Sequence, residues 1–163
     1  MDIIIVIIKF LTLMLVFISA GGGMFYNLYC SELGNARLII NKKLRNTNVA
    51  AVILSIFYLS IDAARFAGSF AGVFDSELQK MVVLSHLGLS KIMMVFGLIF
   101  VTWSCKLSSY YRVLVATVGV SSVAFSFSFT GHTAENSYRS ILTPLLILHI
   151  LVVLFWFGAL VPL

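Results

Sequence analysis

The chain has 163 residues, 61% of them hydrophobic and only 10% charged, with a mean hydropathy of +1.07. A soluble domain carries about 25% charged residues, so these proportions exclude a water-facing surface, and disorder is excluded because it needs low hydrophobicity. The net charge of +5 invites a nucleic-acid partner, but the basic residues lie mostly between apolar runs, where membrane topology puts them.

An integral membrane protein in contact with a lipid bilayer is expected, with no nucleic-acid partner. A span needs about 20 apolar residues, and the length allows roughly four to six. The runs are too long and continuous for the alternating segments of roughly ten residues found in a membrane β-barrel. The expected fold is all-α: a polytopic bundle of about five transmembrane helices, residues 1–163 forming one domain.

In chain order, span one is expected at 3–27. Asp2 replaces a basic leader region and Lys9 interrupts the apolar run, so this segment reads as a retained span rather than a cleaved signal peptide. Gly21-Gly22-Gly23 is expected to interrupt it. A basic loop with Arg37, Lys42, Lys43 and Arg45 leads to span two at 49–74. After the acidic stretch Asp75-Ser76-Glu77 comes span three at 82–104. The loop Lys106 to Arg112 precedes span four at 113–131, and the polar link His132 to Ser140 precedes span five at 141–161. The loops after spans one and three hold six Lys and Arg, those after spans two and four only Lys80 and Arg139. The positive-inside rule then puts the N-terminus outside and the C-terminus inside. The ending Val161-Pro162-Leu163 has no basic anchor, which suggests a truncated gene or part of a larger unit.

Polar groups inside the spans carry the functional information, because they are costly there. Asp62 and Arg65 are spaced i, i+3 on span two, with Tyr58 and Ser69 extending that face. They read either as a structural ion pair or as part of an ion or proton path. His86, His132 and His149 all fall in the outer half of the membrane and can converge on a metal ion. His149 lies about 12 Å into span five, and neutral imidazole is the commonest metal ligand. His86, Ser90, Met94 and Gly97 form one stripe of span three, and thioether with imidazole suits Cu(I). The same methionines also read as ordinary packing residues. Gly68 and Gly72, and Ser122, Ser126 and Thr130, read as close-packing faces. Cys30 and Cys105 have no metal or disulfide spacing and read as inert thiols at the cytoplasmic ends of spans one and three.

Phe129-Thr130-Gly131-His132, then Leu148-His149, then Trp156-Phe157-Gly158-Ala159-Leu160 make the order T-G-H followed by L-H-x6-W-x-G-x-L. This resembles the membrane domain of the copper resistance D family of bacterial inner-membrane proteins. The stretch Leu84 to Lys91 is also similar, Gly88 and Lys91 standing where that family has a glycine turn and then a lysine early in the helix. The resemblance implies copper import or transfer across the inner membrane, with a periplasmic copper-binding protein as a partner. His132 and His149 are its motif histidines and the implied copper ligands. Trp156, on the face of His149, is expected to pack beside the site. Family members usually have more spans.

A second reading keeps the histidines but changes the ligand: His86 and His149 on neighbouring helices could hold a b-type haem. No hydrolase, P-loop or zinc-protease motif is present, so enzyme activity is not expected.

Overall fold

The computed structural model describes residues 2–130 and 138–160. The described chain forms six α-helices with three short 3-10 segments and no strand. They are α1 (Asp2–Tyr29), α2 (Arg37–Ala67), α3 (Ser76–Leu84), α4 (His86–Ser104), α5 (Ser109–Ser126) and α6 (Arg139–Ala159). All except α3 are long and apolar enough to cross a membrane. The molecule is a multi-pass helical membrane bundle.

The expected break at Gly21-Gly22-Gly23 does not occur: α1 runs through it. The glycines serve contact instead. A Cβ at Gly21 would fall on the carbonyl oxygen of Leu154 in α6, and one at Gly158 would fall on that of Gly21. Gly23 instead makes room for the Val101 side chain of α4. Lipid tails are as apolar as leucine, so helices associate through such close backbone approach rather than through hydrophobic exclusion.

α2 begins well before the expected 49, inside the expected loop. Residues 37–48 contain no Gly or Pro and several good helix formers, Leu, Lys and Arg, so nothing stops the helix there. At about 46 Å, the helix outruns the hydrocarbon core of about 30 Å, and its basic first turns project beyond it. It also ends before the expected 74. Gly68 takes φ +69 and caps the helix, its N–H bonding to the Arg65 carbonyl. Gly68 and Gly72 therefore do not share a helix face. Gly72 lies in the 3-10 segment Phe70–Phe74, against Ala63, Ala64 and Ala67.

The acidic stretch at 75–77 is a helix start rather than a loop. One Asp75 carboxylate oxygen accepts from the backbone N–H groups of Glu77 and Leu78, which opens α3. Span three is thus two helices. They meet at Ser85, which is extended, and whose hydroxyl caps α4 by accepting from the Gly88 N–H at 3.4 Å. A Cβ at Gly88 would fall on the Val82 and Val83 carbonyls, so glycine lets the two helices fold back this tightly.

α4 and α5 form the closest helix pair. Gly97 and Gly119 face one another across it. Ser90 Oγ donates to the Ser126 carbonyl at 2.8 Å and Ser122 Oγ to that of Met93 at 3.0 Å. The central core gathers Val16, Met94, Leu98, Val101, Val123 and Leu154 from α1, α4, α5 and α6.

Candidate functional site

The buried face of α2 is polar along much of its length. Asn48, Ala51, Ser55, Tyr58 and Asp62 follow at steps of three or four residues and are all buried. They make one stripe about 21 Å long at 1.5 Å per residue. Its upper end is the candidate site.

Asp62 is only 3% exposed. A buried carboxylate without nearby cations would lose its hydration for nothing, and three cations act on it. Lys91 of α4 is foremost, then Arg65 of α2, then Lys9 of α1. Lys91 Nζ also stands 4.3 Å from the centroid of the Tyr58 ring, a cation–π contact. Lys9, Tyr58 and Arg65 border a cavity of about 280 Å³. Asp62 is five residues from the end of α2, Lys91 five from the start of α4, and Lys9 seven from the start of α1. All three lie roughly 8–11 Å in from helix ends on the same side of the bundle.

Asp62 and Arg65 do not form an ion pair. Among the described residues the only pair within 4.0 Å is Lys80 with Glu77, at 2.9 Å on α3. Asp62 turns inward whereas Arg65 is exposed. The partner that matters most to Asp62 comes from another helix. Lys9 and Lys91 could have been singled out by one signal, since each is a lone charge within an apolar run.

His86 is exposed at the start of α4 and His149 is exposed on α6, while His132 lies outside the described residues. The backbones of α4 and α6 do not approach one another closely, and α1 and α5 each contact both. No cluster of three His, Cys, Asp or Glu among the described residues is placed to hold a metal ion. Trp156 is 68% exposed on the outward side of α6, as is His149. Met94 is 2% exposed in the central core, its sulfur 4.0 Å from Ser55 Oγ. Of the stripe His86, Ser90, Met94 and Gly97, the last three form the buried face of α4 and His86 does not.

Cys30 and Cys105 both belong to a small cluster around Tyr26 and Leu44 at the far end of the bundle. Burial pushes the Cys105 thiol above the ordinary cysteine range, which makes it a poor thiolate at neutral pH.

Comparison of the chain with protein-family profiles, with curated proteins and with solved structures finds no match.

Proposed function

We propose that this chain is an inner-membrane protein that handles copper, importing the ion or passing it inward from a periplasmic copper-binding protein. The observation that carries the reading is the role of Gly88 and Lys91, the two residues that the resemblance marks in the 84–91 stretch. Gly88 lies in the first turn of helix α4, against the Val82 and Val83 carbonyls with no room for a side chain, and Lys91 is the foremost cation acting on buried Asp62. Both have structural work at the positions the copper resistance D pattern reserves for them.

In this reading His132 captures the ion at the outer surface and His149 receives it, with His86 as a further ligand. His149 is exposed on the outward side of α6, where an arriving ion can reach it. Asp62 offsets part of the positive charge of Lys9, Arg65 and Lys91 and so tunes the charge of the path. The test compares the purified protein and cells carrying it with the His132→Ala, His149→Ala double variant. Copper binding and cellular copper content fall in the double variant if the reading holds. Unchanged values in both would sink it, and a Soret band in the purified protein would replace copper with haem.

A further inference from the structure

A second chamber, largely apolar in its wall but bordered by cations, lies between α1, α2 and α4, at the end opposite Asp62. Its volume is about 340 Å³, at the small end of the roughly 300–1,000 Å³ typical of ligand sites. Lys42, Arg45 and Lys106 line it together with Asn41, Asn48 and Ser19, and no acidic residue does. Topology accounts for basic residues on this side of a membrane. It does not account for a chamber reaching inward from them, nor for its deepest polar group. Ser19 is 1% exposed and its hydroxyl has no hydrogen-bond partner. Asn48, 4% exposed, is held in place by its amide, which donates to the Leu98 carbonyl at 3.0 Å.

We infer that this chamber binds a phosphate-bearing anion, either free phosphate or an anionic phospholipid headgroup. Three exposed cations border the chamber and attract negative charge to it, and the Ser19 hydroxyl supplies a buried donor that is otherwise unused. Charge-assisted hydrogen bonds of this kind are the strong ones. Lys43 is a built-in control, because it is equally basic and adjacent in sequence but does not line the chamber.

The full chain is purified in detergent and titrated calorimetrically with inorganic phosphate at constant ionic strength. In parallel, its thermal unfolding is followed in phosphatidylcholine nanodiscs with and without phosphatidylglycerol. Saturable phosphate binding identifies the free ion. Stabilisation by phosphatidylglycerol alone identifies the headgroup. In either arm Arg45→Gln/Lys106→Gln weakens the effect about tenfold or more, Ser19→Ala weakens it about threefold, and Lys43→Gln stays within about twofold. No response of the wild-type chain in either arm overturns the inference. So does an equal loss in Lys43→Gln, which would mean that only the general positive field of this end is at work.

Discussion

Asp62 is the side chain whose burial most needs explaining, and the explanation lies in its neighbours rather than in its own helix. A carboxylate in a low-dielectric interior is tolerated when cations offset it, and Lys91 of α4 is the foremost of the three that act on Asp62. The two residues should therefore behave as a unit. Asp62→Asn leaves Lys91 without its counter-charge and is expected to cost on the order of 1–3 kcal/mol. Lys91→Met should cost less in the Asp62→Asn background than in the wild type, because the charge it removes has already lost its partner. Thermal unfolding of the four proteins in detergent gives the cycle, and strictly additive losses would refute the coupling. Arg65 was the partner that spacing suggested, since i, i+3 residues are neighbours on an isolated helix. Neighbouring positions on a helix surface do not guarantee neighbouring charges once one side chain is drawn into a bundle and the other is left outside. Lys91 was beyond reach of that argument because it belongs to a different span.

At the scale of elements, two glycines do different work and should respond differently to the same substitution. Gly68 sits in the left-handed region with open space around it, so Gly68→Ala pays only the conformational cost, about 1–2 kcal/mol. Gly158 has ordinary helical backbone but lies against Gly21, so Gly158→Val forces α1 and α6 apart. Overpacking of this kind costs about 1–3 kcal/mol and should also loosen the α1–α6 contact. Cross-linking between engineered cysteines on those two helices reads this. Gly158→Val lowers its yield and Gly68→Ala leaves it unchanged, and equal yields in both variants would contradict the assignment. Existence and approximate position of the five long helices were legible from hydrophobic run length alone. Their ends were not, because run length reports apolarity rather than capping. Arg37 to Asn48 is polar yet helical, and Gly68 to Phe74 is apolar yet lies beyond α2. The Ser85 break was hidden for the same reason, since α3 and α4 read as a single run once 75–77 is taken for a loop.

For the whole molecule, charge asymmetry implies an orientation. By the positive-inside rule, the end that carries Lys42, Arg45 and Lys106 is expected to face inward and α3, at the opposite end, outward. In a variant with Cys30 and Cys105 replaced by serine, a single cysteine at Ser76 should react with a membrane-impermeant thiol reagent added to intact cells. One at Lys43 should react only after the membrane is opened. The reverse pattern would invert the topology. The candidate site was partly legible at this scale. Asp62 announced itself as an intramembrane acid, but its assembly from α1, α2 and α4 depends on which helices are neighbours, and span order does not encode that. The histidines show the converse. Their residue type suggested convergence, whereas His86 and His149 are both exposed on the helices that carry them.

The contact of Gly21 with Gly158 has a consequence for biogenesis. α1 enters the bilayer first, yet the helix that covers its glycine face is the last of the six to be synthesised. More than a hundred residues must be translated and inserted before that seam can close. Until then Gly21 lacks the Leu154 and Gly158 backbone that closes over it. Assembly of the bundle is therefore completed late and by its most distant partners in sequence, an arrangement that slows folding through chain-closure entropy. A ribosome stalled before Arg139 should hold a nascent chain whose α1 is still accessible to cross-linking with lipid or with the insertion machinery.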